Sequence, residues 1–81
     1  MPRYFFHVCN GTGLVEDEEG QEIADEETAR TIAVKEAREL MSEEMRAGEL
    51  NVASFIEVQN EKGEYLFTLQ FEDAFRLSRH L

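Results

Sequence analysis

The sequence predicts an α+β fold: a two-layer ββαββ domain with an antiparallel sheet from two hairpins packed on one long helix. Three observations carry this expectation. Residues 3–9 alternate around aromatics and run into a glycine turn, residues 25–47 repeat small apolar side chains at helical spacing, and a second alternating stretch folds about Asn60-Glu61-Lys62-Gly63. The 81 residues support a single domain over 1–81, with an ordered core over about 3–77, and a chain this short buries only about two-thirds of the surface its unfolded form exposes.

In the first strand Tyr4, Phe6 and Val8 share one face, and Phe5, His7 and Cys9 share the other. Asn10-Gly11-Thr12-Gly13 supplies residues that accept positive φ, so Leu14 and Val15 return as a short second strand. Between residues 16 and 27, eight of twelve side chains are acidic, and Ile23 is the only large apolar one. Repulsion keeps this segment at the surface. Asp17-Glu18-Glu19-Gly20 reads as a turn with glycine in the left-handed position, and Ile23 pins the approach to the helix against the core.

Asp25 is a good N-cap, and Glu26 and Glu27 set negative charge against the unpaired N–H groups of the first helical turn. At 100° per residue Ala33, Ala37, Leu40 and Met41 gather on one side, extended by Val34 and Met45. Thr31, Lys35, Arg38, Glu39, Ser42 and Arg46 take the other. Glu26 and Arg30 have the favourable i,i+4 order. Gly48 stands where a helix ends.

The second hairpin joins 54–60 to 64–71, with Gly63 in a left-handed bulge position. Ile56 and Val58 oppose Glu57 and Gln59; Tyr65, Phe67, Leu69 and Phe71 oppose Leu66, Thr68 and Gln70. Residues 72–77 are expected to add a helical turn with Phe75 and Leu77 folding back, before 78–81 fray.

A net charge of −10 opposes nucleic-acid phosphates and anionic membranes, so neither is an expected partner, and basic proteins are favoured instead. The 42% hydrophobic content separates the chain from acidic disordered tails. A single cysteine, Cys9, forms no internal disulfide and suits a reducing cytoplasm, and no stretch approaches the apolar length of a membrane span.

Candidate chemistry is sparse. His7 and Cys9 lie two apart on one face and could form half a metal site or an activated thiolate, but no second ligand pair is spaced to complete either. The carboxylates of 16–27 could hold a hard cation, yet their spacing is not that of a calcium loop. A general acid and base would need a pocket and separated pKa values. No cofactor and no metal is therefore expected, and no catalytic residue is assigned. The aromatics exceed what one sheet face hides behind one helix, which points to dimer contact or edge pairing.

The opening Met1-Pro2-Arg3-Tyr4-Phe5-Phe6-His7-Val8, the Gly11 turn, Glu16-Asp17-Glu18-Glu19-Gly20 and the alanine-rich helix from Ala29 resemble a family of short uncharacterised alphaproteobacterial proteins, common in rhizobia, domain of unknown function 6894. That resemblance implies a fold and a bacterial cytoplasmic setting without lending an activity. The hairpin followed by Asp25-Glu26-Glu27-Thr28-Ala29 is also similar to HicB-type antitoxin domains, although no DNA-binding element follows it here.

The leading functional expectation is a non-catalytic cytoplasmic interaction module, homodimeric, in which Glu16, Asp17, Glu18, Glu19, Glu22, Glu26 and Glu27 form a surface for a basic protein partner. The alternative is an antitoxin-like regulator that covers a basic protein. A small metal-binding protein or enzyme is the third reading.

Overall fold

The structure is a computed structural model that describes residues 1–11 and 13–75. Five strands and one helix follow in the order β1 (Arg3–Asn10), β2 (Gly13–Val15), β3 (Gln21–Glu22), α1 (Glu26–Arg46), β4 (Phe55–Asn60) and β5 (Tyr65–Gln70), closed by a 3-10 turn at Phe71–Asp73. The α+β class is as the sequence predicts, but three strands precede the helix, because the return from β1 is broken in two.

The sheet is antiparallel throughout, with β1 and β4 at its centre, from Tyr4 opposite Asn60 to Cys9 opposite Phe55. β5 forms one edge. β2 and β3 share the other: Val8 pairs with Val15, and Tyr4 pairs with Gln21, while the residues between do not pair as a strand.

Alternation in β1 and β4 sends Tyr4, Phe6, Ile56 and Val58 inward with Phe67, against Ala29, Ala33, Ala37 and Met41 of α1. Alanine at three successive contacts lets the helix axis lie close to the sheet, and Ile23 and Phe71 close the two ends of the layer. The expected apolar stripe stops short of Met45, which is 65% exposed beyond the sheet.

Asp25 caps the helix with extended backbone and a carboxylate that accepts from Thr28 N at 2.7 Å. Glu26 meets Arg30 at 3.6 Å, and the Arg30 guanidinium sits 4.2 Å above the centre of the Phe67 ring, worth about 0.5–1 kcal/mol at an exposed site. At the far end Gly48 N donates to Met45 O and Glu49 N to Glu44 O, which satisfies two otherwise open carbonyls through a left-handed glycine at φ +83°.

The second hairpin corrects one alternation. Val58 pairs with Phe67 but Gln59 pairs with Tyr65, so Leu66 is the extra residue of a bulge. Leu66 and Phe67 therefore both reach the core, and Tyr65 turns to the outer face, where its hydroxyl lies 2.9 Å from Thr68 Oγ1. After β5 the chain is anchored by Phe71 and Ala74, both buried, whereas Phe75 is 40% exposed. Arg38, expected on the solvent side, reaches across to donate from Nε to Ala74 O. Leu77 and residues 78–81 lie outside the described residues. No helix among those described is long and apolar enough to cross a membrane.

Candidate functional site

Between β2 and β3 the backbone of β1 faces no strand, and Phe6 N–H would be left without a partner. Asp17 fills the gap. Its Oδ2 accepts from Phe6 N at 3.1 Å, and its Oδ1 accepts from Glu19 N at 3.2 Å and Gly20 N at 3.0 Å. Asp17 N in turn donates to His7 Nδ1 at 3.1 Å, so the neutral imidazole carries its proton on Nε2. The imidazole also stacks on Phe5, with ring centres 6.5 Å apart.

Gly20 completes the turn at φ +71°. A Cβ there would lie 2.9 Å from Tyr4 O and from Phe5 Cε2, so both the backbone angle and the space call for glycine.

The segment runs along the edge of β1, and between it, the inward side chains of β1 and α1 lies an open cleft of about 500 Å³. Phe6 and Val8 line its floor, Glu16, Asp17, Glu18 and Glu19 its rim, and Glu36 of α1 faces it from the helix. Half-burial raises the Glu36 carboxyl above the ordinary glutamate range, and Asp17 and then Glu39 push it further in the same direction.

The seven acidic residues singled out in the sequence therefore separate. Glu16, Asp17, Glu18 and Glu19 line the cleft, and Asp17 is committed to backbone donors. Glu22 lies beside it and meets Arg3 at 3.4 Å, while Arg3 also donates to Glu19 O at 2.7 Å. Glu26 and Glu27 stand at the helix N-terminus, outside the cleft, and Glu26 is paired with Arg30. Among the described residues no cationic side chain pairs with Glu16, Glu18, Glu19 or Glu36.

Glu36 escaped the sequence reading, although a signal was present: it stands three residues after Ala33 and four before Leu40, on the border of the buried stripe. No group of three or more His, Cys, Asp and Glu among the described residues is placed to hold a metal ion. Cys9 lies on the outer sheet face opposite Leu14 and Phe55.

The family model for the Domain of unknown function (DUF6894) matches residues 3–72. The chain belongs to that family. No match was found among curated proteins or among solved structures. The DUF6894 region begins at the first residue of β1 and takes in the broken return strand, Glu36 and the whole of β5.

Proposed function

We propose that this DUF6894 chain is a non-catalytic protein-interaction module of the cytoplasm, whose acidic cleft receives a basic segment of a partner protein. The observation that carries the reading is the cleft itself, where the half-buried Glu36 and the unpaired carboxylates of Glu16, Glu18 and Glu19 border the apolar side chains of Phe6, Val8 and Val15. A cluster of like charge on an apolar floor is relieved by an incoming cation. Lysine or arginine fits both features, since the aliphatic stem covers Phe6, Val8 and the exposed Val15 while the charged head reaches the rim.

Asp17 supports binding over acid–base chemistry. Both of its oxygens accept backbone N–H groups, so it is the frame of the cleft and no free partner for Glu36. The lone thiol of Cys9 fits a reducing compartment.

The test is calorimetric titration with a lysine- and arginine-rich peptide at about 50 mM and about 500 mM salt. Binding should weaken steeply at the higher salt and fall sharply in a Glu16→Gln/Glu18→Gln/Glu19→Gln variant. Near the raised Glu36 value, binding should also release protons, seen as a dependence of the heat on buffer ionisation. Salt-insensitive binding, or full binding by the triple variant, would overturn the proposal.

A further inference from the structure

His7 ties the outer face of the sheet to the frame of the cleft. Its ring stacks on Phe5 along β1, yet Nδ1 accepts the Asp17 N–H at 3.1 Å. Asp17 is also the residue whose carboxylate holds the turn, with Oδ2 taking Phe6 N–H and Oδ1 taking Glu19 N–H and Gly20 N–H. One ring lone pair and one carboxylate thus fix the same residue, the first through its backbone and the second through its side chain.

The bond to Nδ1 exists only for the neutral ring. An imidazole side chain takes up a proton from water between about pH 5 and 8, and here Nε2 already carries one, so the new proton goes onto the lone pair that Nδ1 offers to Asp17. Two N–H groups then meet with no acceptor between them. The Asp17 carboxylate gives no relief. Both of its oxygens accept backbone donors, and turning either toward the ring draws it off Phe6 or Gly20.

The other groups around the ring do not restore the bond. Glu57 stands directly across on β4, and Glu16 shares with His7 and Glu57 a small pocket of about 240 Å³ that Leu14 and Gln59 complete. On β1 itself the Cys9 thiol is next along the same face, and the Arg3 guanidinium is engaged with Glu19 O and Glu22. The carboxylates of Glu16 and Glu57 keep a positive ring on the sheet, so the ring stays and the turn gives way. We infer that His7 is a pH-sensitive latch on the acidic turn: protonation of Nδ1 releases Asp17 N–H and loosens the frame of the cleft, and deprotonation closes it again. The latch acts on the turn whatever the cleft binds, so it stands apart from the docking of a basic segment.

Nitrogen magnetic resonance of the imidazole and backbone of the full chain, from about pH 8 to about pH 5, tests the latch. At the upper end the His7 ring should show a protonated Nε2 and a bare, hydrogen-bonded Nδ1. As that ring gains its proton, the Asp17 amide should shift with the same midpoint. Exchange protection at Phe6, Asp17 and Gly20 should fall about twofold to tenfold, the range of one neutral hydrogen bond. His7→Asn sets an amide oxygen where Nδ1 stood and cannot titrate, so these amides should keep their protection throughout. That variant retains Glu36, which separates the two titrations, and it retains His80, which identifies the His7 resonances by difference. A ring with its proton on Nδ1 at about pH 8, or an Asp17 amide that ignores protonation of the ring, would overturn the inference without recourse to any variant. So would a His7→Asn chain that loosens in acid as the parent does.

Discussion

Replacing Asp17 by alanine withdraws the one side chain that completes the ladder at the break in the sheet edge. Three backbone donors lose their acceptor: Phe6 N–H and Gly20 N–H in part-buried positions, and Glu19 N–H in solvent. Water replaces the exposed bond at little cost. A bond to a charged acceptor contributes about 1.5–3 kcal/mol, so the part-buried pair places the loss at about 3–6 kcal/mol before rehydration of the freed N–H groups and relief of the repulsion with Glu36 are subtracted. We expect a net loss of about 2–3 kcal/mol, which for a domain of this size lowers Tm by roughly 10–20 °C. Asp17→Asn keeps one neutral acceptor oxygen and should lose about half as much. Urea unfolding followed by circular dichroism gives the stability, and exchange of the Phe6 amide reports the particular bond. A loss below about 0.5 kcal/mol in Asp17→Ala, with Phe6 exchange unchanged, would refute the role given to this carboxylate.

Glu36 titrates above the ordinary value of 4.5 in the folded chain, so the folded state holds its proton more tightly than the unfolded state, and stability declines as pH rises from 4.5 through the raised value. Glu36→Gln should accordingly be more stable than the parent at neutral pH, with the gain vanishing below about pH 4.5 in paired unfolding curves. The Asp25 carboxyl is shifted the other way by its bond from Thr28 N, so Asp25→Ala should lose stability at neutral pH, and the deficit should close as pH falls through and below 3.8. Gly20→Ala and Gly48→Ala share a left-handed backbone worth about 1–2 kcal/mol, but only the first drives a Cβ into Tyr4 O, so its melting point should fall markedly further. The Ser54 hydroxyl is buried with no hydrogen-bond partner among the described residues, and Ser54→Ala should be neutral or stabilising by up to about 1 kcal/mol in urea unfolding.

Local signals carried most of the fold. Alternation placed Tyr4, Phe6, Ile56 and Val58 inward, the Asp25 cap and Gly48 stop bounded the helix, and Ala33, Ala37 and Met41 marked its buried face. The features that escaped depend on partners distant in the chain. The bulge at Leu66 is set by pairing with Val58 and Gln59, so period-two reading put Tyr65 on the wrong face. β3 is two residues held only by β1, too short to leave a pattern. Met45 continues the helical stripe, but no sheet lies beneath it, and Arg38 looked solvent-facing because its acceptor, Ala74 O, arrives from the end of the chain.

The acidic segment was conspicuous in composition, yet composition treats its members alike. Asp17 differs from Glu18 because the shorter side chain of aspartate suits the close approach to Phe6 N–H and Gly20 N–H at a turn, a role that the Asp-to-Gly spacing does announce. Glu36 joins the cleft only once the helix is laid across β1, so its part required the assembled layers as well as its place beside the alanine stripe.

The central claim, that the cleft is a docking site for cationic segments, is tested most directly by a nuclear magnetic resonance titration of the chain with the lysine- and arginine-rich peptide. Shift changes concentrated on the amides of Glu16, Glu18, Glu19 and Gly20 and on the Glu36 side chain, lost on raising salt, are the predicted result. Shifts spread evenly over Glu22, Glu26, Glu27 and the remaining acidic surface, with Glu36 unmoved, would contradict it.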